Sequence, residues 1–139
     1  IELGGRRQKA SRSSKIIKSS IDAYHFFKPL LQDKNYEEFW VLLLSKNHSI
    51  IKPYQVSDGG ISQTVVDPKR VFKAALEHNT SSLVLCHNHP SGNLTPSAAE
   101  IKLTQKLIKA SLTLDIQILD HIIVSNTGYY SFADEGKLI

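Results

Sequence analysis

An apolar run, Ser82-Leu-Val-Leu-Cys86, feeds directly into His87-Asn-His89 and is broken at once by Pro90-Ser-Gly-Asn93. No other stretch of the chain restricts the fold so tightly. The apolar, partly β-branched composition predicts a buried strand, on which side chains two apart share a face, so His87 and His89 point the same way. Beyond the turn signal, Thr95-Pro96 reads as a helix start, with Thr as N-cap and Pro in the first helical position, and the helical pattern runs to about Ala110. Ser97 and Glu100, three apart, fall on one face of that helix. A strand, a tight turn and a helix therefore carry two imidazoles and a carboxylate to one place.

Two histidines and a carboxylate supply three ligands of a tetrahedral site and leave the fourth position to water, as catalytic rather than structural zinc sites do. Zinc in such a site lowers the pKa of its water from about 15.7 to about 7 and polarises the carbonyl under attack. The chemistry also wants a carboxylate to carry the proton to the leaving amine. Ser97 is placed to donate a hydrogen bond to a developing oxyanion. Each residue has a plainer reading. An H-x-H pair on a strand is often incidental, and a first-turn Ser commonly caps backbone donors.

Taken together, His87-x-His89, the seven residues to Ser97 and the two more to Glu100 resemble the RadC family, whose domain is of the JAMM (MPN-type) metalloprotease-like kind. Glu37-Glu-Phe-Trp-Val-Leu-Leu-Leu44, Gly59-Gly-Ile-Ser62, Val66-Asp-Pro-Lys-Arg-Val-Phe72, Leu119-Asp-His-Ile-Ile123 and Tyr129-Tyr-Ser-Phe132 match that family's segments in its order. The resemblance covers nearly the whole chain from about residue 20. It implies a mixed-sheet α/β sandwich of the cytidine-deaminase-like type, Zn2+ held by His87, His89 and Glu100, and a peptide or protein substrate. The family's third ligand is an Asp, so Glu100 departs from it by one methylene. Its upstream catalytic glutamate matches Glu37, and a one-residue slip would exchange that for Glu38, which faces the other side of a strand.

Three further residues draw notice near these motifs. His121, with apolar neighbours, reads as a satisfied core histidine ahead of a role behind the metal ligands. Asp120 is a candidate partner for the second nitrogen of a ligand histidine. Cys86 alternates away from the histidines and reads as a small buried hydrophobe.

With 41% hydrophobic and 22% charged residues, a chain of 139 has enough apolar side chains for one core. No apolar run approaches the roughly 20 residues of a membrane span and no secretory pattern opens it, so a membrane partner is not expected. A single cysteine makes no intrachain disulfide, which fits a cytoplasmic protein. Residues 1–20 hold Arg6, Arg7, Lys9, Arg12, Lys15 and Lys18 against Glu2, net +5, which leaves −1 for residues 21–139 out of a total of +4. The expected organisation is thus a basic, Ser-rich tail or linker over 1–20 and one domain over 21–139. The lack of any Met, with an opening that resembles the segment before the catalytic domain of longer family members, implies an excised C-terminal piece. A basic arm can touch phosphate, and it can equally be a solvated linker.

Elsewhere, Ser20 is expected to cap a helix from Ile21 that Pro29 interrupts. Strands come next over about 38–45 and 49–56, then a turn at Gly59-Gly60 and an Asp67-capped helix to His78. Strands over 115–124 and 129–133 close the chain through a hairpin at Asn126 and Gly128. Alternating strands and helices pack as an α/β sandwich on a mixed sheet.

Rival chemistries lack their residues. A zinc deaminase needs H-x-E and P-C-x-x-C, an H-E-x-x-H protease needs histidines four apart, and a serine hydrolase of the elbow type needs G-x-S-x-G. The expected function is therefore a zinc-dependent peptidase or isopeptidase-like hydrolase with Glu37 as base. The alternative is a non-catalytic interaction module with DNA or protein partners, associated with DNA repair through the resemblance alone. A metal-dependent nuclease stands third, because the body of the chain is near neutral.

Overall fold

In the computed structural model, residues 15–58 and 66–138 are described. The Gly59-Gly60 turn and residues 1–14 of the basic tail lie outside them. The elements are α1 (Ser20–Leu31), β1 (Glu38–Leu44), β2 (Ile50–Asp58), α2 (Pro68–Glu77), β3 (Ser82–Asn88), α3 (Ala98–Thr113), β4 (Gln117–Ser125) and β5 (Gly128–Ser131). The strands form one sheet in the order β2-β1-β3-β4-β5, with β3 and β4 parallel and the other neighbours antiparallel. The parallel step is made through α3, the crossover that a parallel pair requires. This is the α/β architecture on a mixed sheet that the sequence predicted.

Alternation along the central strands divides the core into two layers. Phe39, Val41 and Leu43 of β1 join Leu83 and Leu85 of β3 on one face, under Val71, Phe72 and Ala75 of α2 and Leu103 and Leu107 of α3. Leu42 and Leu44, with Val84 and Cys86, face the other way, onto Ala23, Phe27 and Leu31 of α1 and onto Ile17. Both faces of β3 are buried over its whole length, which is why it reads as an unbroken apolar run. Burying such a Leu or Phe is worth about 1.5–3 kcal/mol.

β4 does not keep simple alternation. Leu83 pairs with Ile118 but Val84 pairs with Asp120, so one extra residue is accommodated at Leu119. The irregularity shifts the phase of the strand. Ile118 and His121, three apart, consequently face the α2–α3 side together, whereas Asp120 and Ile122 face α1.

Two expected helix ends are corrected. Pro29 lies inside α1, which continues to Leu31. The proline costs one backbone hydrogen bond to the preceding turn, and the helix ends two residues after it. The N-cap of α3 is Ser97, not Thr95, because Ser97 and Glu100 form a capping box: the Ser hydroxyl accepts from Glu100 N–H and the Glu carboxylate accepts from Ser97 N–H. Asp67 caps α2 as expected, accepting from Lys69 N–H at 2.9 Å.

Candidate metal centre

β3 ends at Asn88, and His89 comes immediately after it, its N–H bonded to the Val124 carbonyl at 2.8 Å. The chain turns over Pro90 and Ser91, with Gly92 N–H closing on the His89 carbonyl at 3.0 Å. Gly92 has φ +90°, a conformation that side-chain-bearing residues rarely adopt. That turn returns the chain over the strand end, so the first turn of α3 faces the histidines.

Nε2 of His87 and Nε2 of His89 are 3.0 Å apart, and each is 2.9 Å from Oε2 of Glu100. The two imidazoles and the carboxylate expected to converge do so. Glu100 is long enough to serve two partners. Its Oε1 accepts from Ser97 N–H at 2.8 Å while Oε2 meets the imidazoles. The methylene by which it exceeds an Asp is taken up in that span.

The donor chemistry of this triangle suits a cation. Nδ1 of His89 contacts the Asn93 carbonyl. A carbonyl can only accept, so the proton of a neutral His89 sits on Nδ1 and the Nε2 lone pair faces Glu100. Tetrahedral nitrogen and oxygen ligands at about 2.0–2.1 Å from zinc lie about 3.3 Å apart. The observed triangle is a few tenths of an ångström tighter. His87, His89 and Glu100 are accordingly the group among the described residues that could hold a metal ion.

The surroundings set the charges. Burial favours the neutral acid of Glu100, but the imidazoles, when protonated, donate to it through Nε2–H, and with the charge of His87 and the Ser97 N–H they outweigh burial and hold the carboxyl far below the ordinary range; a cation would take the place of those protons. Burial likewise opposes the charged form of His89, yet Glu100, the Asn93 carbonyl and the charge of Glu37 leave its pKa raised. Phe39 stacks on the His87 ring at 5.8 Å between centroids, so one wall of the centre is apolar.

Ser97 is exposed and spends an oxygen lone pair on Glu100 N–H at 3.1 Å, leaving its own proton to donate. Glu37 and Glu38 separate as strand alternation requires. Glu38 is buried on the α1 side, paired with Lys34 Nζ at 3.3 Å and accepting from Trp40 Nε1 at 3.0 Å. Glu37 precedes Phe39 on the opposite face. Extending the register in which Phe39 pairs with His87 sets Glu37 across from His89.

Asn88 and Thr104 were missed near the centre, and the partners of His121 and Asp120 emerge only from the fold. Asn88 lies between the histidines but faces away, with Oδ1 accepting from Glu38 N–H at 2.7 Å and Nδ2 donating to the Tyr36 carbonyl at 3.1 Å. It therefore pins both neighbours of Glu37. A lone Asn at the end of an apolar strand was the signal. His121, read as a satisfied core histidine ahead of a role behind the metal ligands, is fully buried with both ring nitrogens partnered, and one of those partners is His87: its Nε2 lies 2.8 Å from Nδ1 of His87 and its Nδ1 2.6 Å from Thr104 Oγ1. Burial pushes the His121 imidazole well below its ordinary value, and the charges of His87 and His89 push the same way against that of Glu100. Asp120 does not meet a ligand histidine. It faces α1 and accepts from Ser131 Oγ at 2.6 Å and from the backbone N–H of His121 and Ala133 at 2.7 and 2.9 Å.

A family model described as the RadC-like JAB domain matches residues 17–137. The chain belongs to that family. It is 48% identical over 138 residues to a UPF0758 protein of Flavobacterium johnsoniae, covering 98% of this chain and 60% of that protein. UPF0758 proteins of Porphyromonas gingivalis and Methanosarcina mazei are 43% and 39% identical, over 88% and 86% of this chain and 54% and 52% of theirs. The chain thus spans between half and three-fifths of the length of these relatives.

Proposed function

We propose that this RadC-like JAB domain is a zinc-dependent hydrolase of peptide or isopeptide bonds. The observation that carries the reading is the triangle of His87 Nε2, His89 Nε2 and Glu100 Oε2, closed to 2.9–3.0 Å at the junction of a strand end and a helix start. Zinc bound there would supply an acidified water and a Lewis acid for the carbonyl.

The residues around it complete the chemistry of amide cleavage. Glu37, whose two neighbours are pinned by Asn88, takes on this reading the proton of the attacking water and returns it to the leaving amine. The Ser97 hydroxyl, steadied by the helix N-terminus it caps, donates to the developing oxyanion. Phe39 shields the centre from water on one side and strengthens these charges. A location in the cytoplasm accords with the free, buried Cys86, whose thiol burial and the charge of Asp120 push well up. No helix among the described residues is long and apolar enough to cross a membrane.

Glu37→Gln tests the assignment of roles. The variant is expected to keep its zinc and to lose cleavage of peptide or isopeptide-linked substrates by about 10²- to 10⁴-fold, while Glu38→Gln retains activity at whatever level its stability allows. Cleavage that survives Glu37→Gln removes the proposed base. The second reading, an interaction module with DNA or protein partners, draws on Glu100 dividing its carboxylate between a helix cap and the imidazoles. It gains if the folded protein takes up no zinc.

A further inference from the structure

Behind the ligand triangle a chain of polar atoms runs inward through the core. Nδ1 of His87 lies 2.8 Å from Nε2 of His121, Nδ1 of His121 lies 2.6 Å from Thr104 Oγ1, and Thr104 Oγ1 lies 2.8 Å from the Glu100 carbonyl. His87, His121 and Thr104 are each at most 1% exposed, and Phe132 stacks on the His121 ring at 4.6 Å while Phe39 meets it edge-on. Water is thereby kept from completing these bonds. Their direction must be settled within the chain.

One end is fixed by chemistry, because the Glu100 carbonyl can only accept and Thr104 has a single proton to give. With that proton spent on the carbonyl, Thr104 must accept from Nδ1–H of His121. A neutral His121 then has a bare Nε2, which accepts from Nδ1–H of His87. His87 is left with its Nε2 lone pair directed at His89 and Glu100. Resting on the metal reading of the site, we infer that Thr104 and His121 are positioning residues. They choose which nitrogen of His87 carries the proton and so present Nε2 to a cation. The reverse order would withdraw the Thr104 proton from the Glu100 carbonyl and drive an N–H of His87 into the ligand triangle. Glu100 is tied in at both ends, since its backbone carbonyl anchors the chain whose far end aims His87 at its side chain. Helical spacing makes this loop compact: Thr104 is one turn beyond Glu100, where a Thr hydroxyl reaches the i−4 carbonyl.

Thr104→Val keeps the shape and deletes the hydroxyl, whereas Thr104→Ser restores it. Without the hydroxyl, His121 has no acceptor at Nδ1. Its proton moves to Nε2, is donated to His87 Nδ1, and leaves His87 protonated on Nε2. Zinc affinity, measured by competition with a chromophoric chelator, is expected to fall roughly 10- to 100-fold in Thr104→Val and to stay near wild type in Thr104→Ser. Nitrogen-15 spectra of the metal-free proteins are expected to show the His87 proton on Nδ1 in wild type and Thr104→Ser, and on Nε2 in Thr104→Val. Zinc binding by Thr104→Val as tight as wild type, or a wild-type His87 protonated on Nε2, overturns the inference. A wild-type protein that binds no zinc but keeps its His87 proton on Nδ1 sinks the metal reading alone and leaves the tautomer assignment standing.

Discussion

Half-buried Glu100 of α3 and buried Asp120 of β4, on opposite sides of the sheet, are handled in opposite ways. Glu100 meets imidazoles and a helix N-terminus and is held ionised, while Asp120 meets only neutral donors. Burial raises the Asp120 pKa, three hydrogen bonds from Ser131, Ala133 and His121 pull it back, and the charge of Asp134 adds to the rise. A carboxyl whose folded pKa exceeds its unfolded value, about 3.9 for Asp, stabilises fully below that value and loses the contribution as pH rises through the folded pKa. Asp120→Asn does not titrate. The stability advantage of wild type over Asp120→Asn, taken from urea midpoints, should therefore narrow as pH rises from about 4 through the folded value, and an advantage that widens contradicts the account. At this scale the sequence made the ligand triangle legible, because H-x-H on a strand and a carboxylate in the next first turn are short-range facts. The link between His121 and Thr104 was not legible. Their meeting depends on one extra residue in β4, which no local pattern announces.

Among the elements, those with a chemical start signal were located best. Asp67-Pro68 marks α2 through a cap and a ring that costs no hydrogen bond, and removing the cap should weaken the fold without touching the centre. Asp67→Ala is expected to cost about 1 kcal/mol, measured by urea unfolding, with zinc affinity unchanged. A loss of zinc affinity in that variant would mean that α2 governs the site, contrary to the packing. The cap of α3 lies two residues beyond its expected place. Thr95-Pro96 imitates a cap and first position, but Ser97-Ala-Ala-Glu100 offers two reciprocal bonds where Thr95 offers one, and the box prevails. For β3, burial on both faces made the strand visible as an apolar run, while its neighbours and their direction emerged only from packing. Pro29 shows the opposite limit, since a proline near a helix end is indistinguishable by sequence from one that breaks it.

As a whole, the molecule rests on two apolar layers and not on the candidate metal centre. Phe27, Phe39, Phe132 and the leucines of β1 and β3 are fully buried away from solvent, so the metal-free domain is expected to be folded. A ligand that binds only the folded state still adds stability by mass action, about 2.7 kcal/mol at a hundredfold excess over its Kd. Zinc should accordingly raise the melting temperature by several degrees, and a chelator should reverse the rise without unfolding the protein at room temperature. Cooperative unfolding on chelation alone would make the site structural and closed. The fold class was readable from the alternation of strands and helices, and the family from motifs spread along the chain. The proposed activity depends on the three converging groups. The most direct measurement of it is the metal content of the folded protein by elemental analysis, with Glu37 and Ser97 intact. About one zinc per chain, lost in His87→Ala with the circular dichroism spectrum unchanged, is the predicted result; a folded wild-type protein that retains no zinc after incubation and desalting contradicts it.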